Sequence, residues 1–343
     1  MKLTKFKFET NVIENVMQIK IDVPYNVKYV CLYLFELNGK KILIDSGLNI
    51  GNWDQSFFSS LDQLGISISE IDYCIITHIH TDHIGLIKKL KEKNSNLKIL
   101  MHDITYHLLK WEKDKANEGE YKKEAQNVAD LMVKYGIPKE QGKLVYNFFT
   151  LWPRYIQYQE PDQIIHDGDI ILDDLEIIWT PGHSFGHICI FNKKNKFLFS
   201  GDHILSRITP HIGVFVMSPA LRQEYEGFHF DNILAHYLNS LEKIDRLNPK
   251  IIFPAHQEII YNPHERIQQI KLHHQNRLNE ILETIKSTQL TAFQISQKHF
   301  GEDLDQMNSY LALSEVLGHL IYLEQNGKVI KSEKDGIYYF KAI

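Results

Sequence analysis

The sequence has few cysteines and no long apolar run. Its 343 residues include only 3 cysteines, and each lies in an apolar, strand-like segment, at Cys31, Cys74 and Cys189. An odd number of cysteines argues against a disulfide scaffold and favours buried, reduced thiols that act as small hydrophobic side chains. No apolar stretch approaches the roughly 18 residues of a membrane-spanning helix, and the amino terminus lacks the apolar core of a signal peptide. The sequence therefore predicts a cytoplasmic protein with no membrane partner.

Positive charge is not in excess either. The 38 Lys and Arg residues are outnumbered by 43 Asp and Glu residues, which gives a formal net charge of -5. A nucleic-acid-binding protein usually carries a basic surface that neutralises phosphates, so this balance disfavours a nucleic-acid partner. Hydrophobic residues make up 43% of the chain, enough for one large α/β domain plus a smaller module. The 18 histidines are more informative, because imidazole is the commonest metal-ligand side chain.

Alternating strand and helix patterns over the first 262 residues predict an α/β fold. An apolar run from Tyr29 to Leu37, the turn Asn38-Gly39 and a second run from Lys41 to Ile44 predict a β-hairpin. Helical periodicity is present over 54–64 and 83–93. Further short apolar runs predict strands at 73–76, 97–101, 168–172, 175–180, 187–191, 196–199 and 251–253.

Two segments depart from this alternation. Residues 104–160 are interpreted as a helical insertion, and its aromatic side chains cluster at Tyr146, Phe148, Phe149, Trp152, Tyr155 and Tyr158. These aromatics either line an apolar acyl pocket or pack the insertion onto the core, and the sequence leaves both open. The patterns after residue 262 predict three helices and then a hairpin, at 264–286, 291–299, 309–325 and 329–340, which is the element order of a winged helix. We therefore predict a catalytic domain over 1–262 and a winged-helix-like domain over 263–343.

The strongest signal for function is a histidine-rich segment that directly follows the predicted strand at 73–76. It reads Thr-His-Ile-His-Thr-Asp-His, from residue 77 to residue 83. Because side chains alternate along an extended chain, His78 and His80 point to the same side and can bind one ion. The turn into the next helix then brings Asp82 and His83 towards a neighbouring position. Four ligand-type side chains within six residues predict a metal site.

Three further ligand-type residues also follow predicted strands. They are His183, Asp202 and His256. Each alone is typical of a surface loop. Together they supply the additional nitrogens, and the carboxylate, that a pair of neighbouring ions would need.

This pattern resembles the metallo-β-lactamase superfamily, and most closely its branch that contains glyoxalase II and the acyl-homoserine lactonases. The resemblance covers about residues 25 to 260 and implies an αββα sandwich. It also implies a metal pair, in which His78, His80 and His183 bind the first ion, Asp82, His83 and His256 bind the second, and Asp202 bridges them. Asp45 would orient a ligand imidazole, and His187 is expected to support a ligand or cap a strand rather than to bind metal.

The ligand set predicts hydrolysis. Two divalent ions roughly 3.5–4 Å apart lower the pKa of a shared water to about 7, and the metal-bound hydroxide can attack a carbonyl carbon. Asp82 and Asp202 are the predicted catalytic residues, which position the hydroxide and accept its proton. Nitrogen and oxygen ligands without thiolate favour zinc, with iron and manganese as alternatives. The favoured substrate is a small-molecule carboxylic ester, lactone or thioester.

The residues alone leave three other functions open. The same metal pair could cleave a phosphodiester, as in an endoribonuclease, or a single iron could support a dioxygenase. The winged helix could also act as a binding module. The predicted helix over 309–325 contains no Lys or Arg, which counts against RNA binding. The oligomeric state is open, a homodimer included.

Overall fold

A computed structural model of the chain describes residues 6–118, 121–151, 157–213, 223, 225 and 227–343. The chain folds into two compact units. The first unit comprises Met1–Lys113, Tyr155–Pro210 and Lys243–Arg266, and the second comprises Asp114–Arg154, His211–Glu242 and Ile267–Ile343. None of the described helices is both long enough and apolar enough to cross a membrane.

Two mixed β-sheets form the first unit. Seven strands form the first sheet in chain order: β1 (Phe8–Ile13), β2 (Val16–Asp22), β3 (Tyr29–Leu37), β4 (Lys40–Ile44), β5 (Ile71–Ile76), β6 (Lys98–His102) and β7 (Gln163–Ile165). Five strands form the second sheet, in the order β12-β11-β10-β9-β8: β8 (Ile170–Ile171), β9 (Leu175–Trp179), β10 (Ile188–Asn192), β11 (Phe197–Gly201) and β12 (Ile251–Pro254). Strands β4 to β7 pair in parallel, as do β11 and β12. The carboxyl ends of each parallel pair therefore meet at one edge of a sheet.

The described helices lie between and after these strands. They are α1 (Trp53–Gln63), α2 (Thr81–Ile84), α3 (Ile87–Lys93), α4 (Asp103–Glu118), α5 (Tyr121–Lys134), α6 (Lys139–Leu151), α7 (Ile233–Leu247), α8 (Pro263–Thr284), α9 (Ala292–Phe300) and α10 (Gln306–Gln325). Strands β13 (Val329–Lys334) and β14 (Ile337–Ala342) end the chain as an antiparallel hairpin. The three helices followed by a hairpin that the sequence predicts after residue 262 are thus present in that order.

The hairpin predicted around Asn38-Gly39 is confirmed. Strands β3 and β4 pair antiparallel on either side of this turn. Both turn residues have positive φ angles, 51° at Asn38 and 73° at Gly39. Such angles suit the right-handed twist of the flanking strands, and Asn and Gly adopt them at little cost.

The single helix predicted over 83–93 is wrong in one respect, because the structure divides it into α2 and α3. The backbone N–H of Gly85 donates to the Gly47 carbonyl, at 2.7 Å, and so leaves the helical pattern. A Cβ at position 85 would lie only 2.5 Å from backbone atoms of Asn49 and Thr81. The helix is interrupted where the chain packs directly against the loop that follows β4.

Aromatic side chains fill the space between the two sheets. Phe35 of β3 stacks on Phe199 of β11 with ring centroids 4.8 Å apart, and Tyr33 of β3 and Phe253 of β12 form a T-shaped pair with centroids 5.4 Å apart. The outer face of the first sheet is covered by helices, with Trp53 of α1 fully buried there. All three cysteines are buried and form no disulfide bond, as the sequence predicts.

In the second unit, part of the predicted insertion packs against residues near the carboxyl end of the chain. The Tyr135 ring stacks on Phe340 of β14 at 6.3 Å, and Phe149 of α6 meets Tyr310 of α10 edge to face at 5.8 Å. Phe149, one of the predicted aromatic cluster, therefore takes part in packing this unit. Trp152 and Tyr155 of the same cluster lie outside the described residues.

We expect Phe253→Ala to lower the free energy of unfolding by about 3–5 kcal/mol, because it empties a space between two sheets that cannot collapse onto each other. Phe58→Ala is the matched control, since Phe58 is only partly buried on α1. Urea denaturation of both variants measures the difference. Equal losses at the two positions would contradict an aromatic core between the sheets.

Candidate metal centre

Five strand ends converge on one edge of the first unit. The histidine-rich segment directly follows β5, and His80 marks the start of α2, with an extended backbone. Asp45 follows β4, His183 follows β9, Asp202 follows β11 and His256 follows β12. In the first sheet, β4 and β5 pair in parallel, so their carboxyl ends lie at one edge. In the second sheet, β11 pairs in parallel with β12, and β9 runs in the same direction as β11 because both pair antiparallel with β10.

The first group of ligand-type atoms contains three imidazoles and a carboxylate. His80 Nδ1 lies 3.0 Å from His78 Nε2 and 2.9 Å from His183 Nε2. Asp202 Oδ2 lies 3.4 Å from His183 Nε2. The four residues each direct one ligand atom at a common point, with all four atoms within 4.8 Å of one another.

The second group lies on the other side of Asp202. His256 Nε2 is 3.4 Å from Asp82 Oδ2 and 3.4 Å from Asp202 Oδ1. His83 Nε2 is 3.6 Å from Asp202 Oδ1 and 3.8 Å from Asp82 Oδ1. Asp82, His83 and His256 each direct one ligand atom at a second common point. The two oxygens of Asp202 thus face the two groups separately.

In three of these imidazoles, Nδ1 faces away from the two groups and makes a hydrogen bond, which fixes where Nε2 points. We call Nδ1 the outer nitrogen and Nε2 the inner nitrogen of these rings. His256 Nδ1 lies 2.6 Å from the Tyr29 carbonyl oxygen, and His83 Nδ1 lies 2.8 Å from Asp45 Oδ2. Carbonyl and carboxylate oxygens only accept, so both Nδ1 atoms carry the proton and donate it. His78 Nδ1 lies 3.0 Å from Thr77 Oγ1 and donates in the same way, because Thr77 Oγ1 gives its own proton to Asp45. In the neutral ring, each Nε2 is then left with a lone pair that points into the cluster.

Asp45 holds this arrangement from behind. Besides His83, its carboxylate accepts the Thr77 backbone N–H at 2.7 Å and the Thr77 hydroxyl at 2.9 Å. Its own backbone φ is 64°, in the left-handed region, which Asp tolerates better than most non-glycine residues. Asp45 therefore holds the ring of His83 and the start of the ligand segment together, and its contact with His83 is the one that the resemblance implies.

The charges of the cluster influence one another strongly. Burial alone would lower the pKa of His83, but the neighbouring carboxylates, Asp202 foremost, outweigh burial and raise this pKa to about 9. Burial lowers the pKa of His80 to about 3. Ionised carboxylates thus hold a proton on His83, and a divalent cation placed among them would take over the role of that positive charge.

The residues present fit a divalent cation. His83 Nε2 and Asp202 Oδ1 are buried and have no hydrogen-bond partner among the residues that the structure describes. A buried polar atom without a partner costs free energy, and a coordinated cation removes that cost for both atoms at once. Nitrogen and carboxylate oxygen donors are those that zinc, iron and manganese accept.

The structure brings together all seven residues that the sequence predicts as ligands. His187, which the sequence places in a supporting role, is fully buried and lies outside both groups. Sequence reasoning did not identify Thr77, although its position directly before His78 is a usable signal. It could not identify the Tyr29 carbonyl, because any residue type can supply a backbone oxygen.

Comparison with known proteins places this site in a family. The sequence profile of the metallo-beta-lactamase superfamily matches residues 29–256. The profile of the metallo-beta-lactamase-like C-terminal domain matches residues 278–343.

Individual relatives agree with these profiles. The chain is 25% identical to the "Probable metallo-hydrolase YqjP" of Bacillus subtilis over 96% of this chain and 98% of that protein. It is 22% identical to the "Atrochrysone carboxyl ACP thioesterase" of Aspergillus fumigatus over 75% of this chain and 60% of that one. Among solved structures, a beta-lactamase domain protein from Burkholderia ambifaria has a TM-score of 0.80 at 21% identity, covering 98% of this chain and 94% of that one.

The superfamily profile covers well over half of the chain, and the structural similarity confirms the predicted α/β sandwich fold with a helical C-terminal region. The ligand-type residues stand at the strand ends within the matched range. The chain therefore belongs to the metallo-beta-lactamase superfamily, as a metal-dependent hydrolase that carries a metallo-beta-lactamase-like C-terminal domain.

Proposed function

We propose that the chain is a dinuclear hydrolase of carboxylic esters, lactones or thioesters. One ion would be held by His78, His80 and His183, a second by Asp82, His83 and His256, and both by Asp202. The position of Asp202 carries this proposal, because its two oxygens lie 3.4 Å from His183 Nε2 and 3.4 Å from His256 Nε2 respectively. One carboxylate that faces two separate sets of nitrogen atoms suits two neighbouring cations better than one.

The donor set favours zinc, with iron or manganese as alternatives. When bound, such ions lower the pKa of a coordinated water and polarise the carbonyl oxygen of a substrate. The protein's own contribution is to direct the ligand atoms of seven residues at two points and to hold the imidazole rings in one orientation.

Asp82 and Asp202 are the proposed catalytic residues. Burial raises the pKa of Asp82, but His83 and His256 outweigh burial and lower this pKa to about 2. The Asp82 carboxylate is therefore ionised at neutral pH and can accept a proton from the attacking water at Oδ1. The O–H bond of that water breaks as its oxygen bonds to the carbonyl carbon. The C–O or C–S bond to the leaving group then breaks, and Asp82 returns the proton to the departing alcohol or thiol.

Two observations support a small carbonyl substrate. A relative over most of this chain is named as a thioesterase of an acyl carrier protein. Helix α10, the last of the three C-terminal helices, contains no Lys or Arg and buries much of its middle, so it offers no Lys or Arg face to phosphates. We extend the proposal to membership of the glyoxalase II and lactonase branch.

The domain division is also a proposal. We place a catalytic domain over 1–262, with the insertion at about 104–160, and a winged-helix-like domain over 263–343. The matched ranges 29–256 and 278–343 support a division between them. The order of α8, α9, α10 and the final hairpin supports the winged-helix interpretation.

A substrate panel tests the proposed function. The full-length protein, loaded with zinc, is assayed on an N-acyl lactone, an acyl thioester, an aryl ester, an aryl phosphodiester and single-stranded RNA, with oxygen uptake followed in parallel. We expect at least one carbonyl substrate to exceed both phosphodiesters by about 100-fold or more in kcat/KM. Metal-dependent RNA cleavage or oxygen consumption, without carbonyl turnover, would overturn the proposal.

Asp45→Asn tests the support behind the ligands. Asp45 accepts three hydrogen bonds, whereas an Asn side chain must direct an N–H donor at one of the same partners. We expect zinc affinity to fall by about 10–100-fold. Asp62→Asn is the control, since Asp62 is exposed on α1. Zinc affinity, measured by competition with a chelating dye, should separate the two variants, and identical affinities would refute a role for Asp45.

A further inference from the structure

His187 stands between two of the loops that carry ligand-type residues. It is fully buried, directly before β10, at the end of the loop that carries His183. Its Nδ1 lies 2.9 Å from Thr180 Oγ1, and its Nε2 lies 3.2 Å from the backbone nitrogen of Asp202. Both ring nitrogens are therefore engaged by the protein itself.

The partners of His187 determine where its proton is. The backbone N–H of Asp202 can only donate, so His187 Nε2 must accept and carries no hydrogen. The proton of the neutral ring is then on Nδ1, which donates to Thr180 Oγ1. Thr180 in turn can give its hydroxyl hydrogen to the His187 carbonyl oxygen at 3.4 Å or to Cys189 Sγ at 3.5 Å. Every polar atom in this chain of contacts has a compatible partner.

The backbone that leads to Asp202 passes closely against this ring. Gly201 has a φ of 49°, and a Cβ at this position would lie 2.7 Å from His187 Nε2 and 3.0 Å from the Thr77 side chain. The Gly201 carbonyl oxygen accepts the Ala255 N–H at 3.0 Å on its other side. The turn from β11 into Asp202 is thus held between β12 and His187.

The same residue also closes the loop that carries His183. The Thr180 N–H donates to the His187 carbonyl oxygen at 2.9 Å, and the His187 N–H donates to the Ser184 carbonyl oxygen at 3.2 Å. His187 consequently ties the loop around His183 to the backbone of Asp202, the two residues whose side chains meet at 3.4 Å in the first group.

We propose that His187 is a positioning residue that, as its Nδ1–H tautomer, fixes the backbone of Asp202 and thereby aims the shared carboxylate at both groups of ligands. It acts without binding metal, since both of its ring nitrogens already have partners. The inference rests on the proposed sharing of Asp202 between two ions. It names a residue outside the ligand set, His187, as the one that holds Asp202 in the required position.

Three substitutions separate this role from simple packing. In His187→Gln, the side-chain carbonyl reaches the place of Nε2 and can still accept the Asp202 N–H. In His187→Asn, the shorter side chain reaches only the place of Nδ1 and Thr180. His187→Leu fills the space without any hydrogen bond.

Zinc affinity of the full-length variants, measured by competition with a chelating dye, is the principal readout. We expect His187→Gln to remain within about 3-fold of the wild type, and the Asn and Leu variants to bind zinc about 10–100-fold more weakly. Melting temperatures of the metal-free variants provide the second readout, and we expect them not to follow this order. If the Gln variant binds zinc as weakly as the Leu variant, or if zinc affinity simply follows the melting temperature, the proposal fails.

The tautomer can be examined in the wild-type protein, so the proposal can be tested even if a variant folds poorly. In full-length protein labelled with 15N-histidine, the ring signals of His187 are assigned from the signal lost in either the Gln or the Asn variant. We expect the Nδ1–H tautomer, and an Nε2–H tautomer would overturn the proposal. The substrate panel can fail while this pattern holds, so failure of the proposed function remains distinguishable from failure of this inference.

Discussion

The rest of the site depends on one buried carboxylate, that of Asp202. Asp202 must face nitrogen atoms from two directions in a place that water does not reach freely. An uncompensated charge there would cost several kcal/mol, and its Oδ1 has no hydrogen-bond partner in the described part of the chain. The surrounding hydrogen bonds engage the outer nitrogens of His78, His83 and His256 and leave the inner ones directed at the carboxylates. In the proposed function, a divalent cation at each point of convergence would supply the compensating charge.

The packing of the two sheets fixes this geometry. Ligand-type residues come from the ends of strands in both sheets, and those strands are fixed by aromatic packing between β3, β11 and β12. Rigid strand ends place side chains more accurately than free loops would. Where the backbone must bend sharply, at Asp45 and Gly201, hydrogen bonds or close packing hold the unusual conformation. The fold therefore determines the spacing of the ligand-type residues without any ion present.

Much of this could be predicted from local patterns. The Asn38-Gly39 turn and the segment from His78 to His83 depend on neighbours in sequence. The turn is confirmed, and the ligand-type atoms of the segment lie close together. Features that depend on distant pairing could not be predicted. The Tyr29 carbonyl meets His256 only because the two sheets pack together, and Gly85 interrupts a periodic helix because it contacts a distant loop. The packing of the insertion could not be predicted either, because its aromatic composition does not indicate that Phe149 packs against Tyr310.

Metal content tests the central claim, that seven residues hold two ions through a shared Asp202. Elemental analysis of the full-length protein, after zinc loading and removal of free ions, should give two ions per chain for the wild type. His78→Ala should retain close to one, and Asp202→Ala fewer than one, because both groups lose a ligand. His166→Ala is the control, since this histidine is exposed and belongs to neither group, and it should retain two. A wild-type protein with a single ion, or an Asp202→Ala variant that keeps both, would contradict the account.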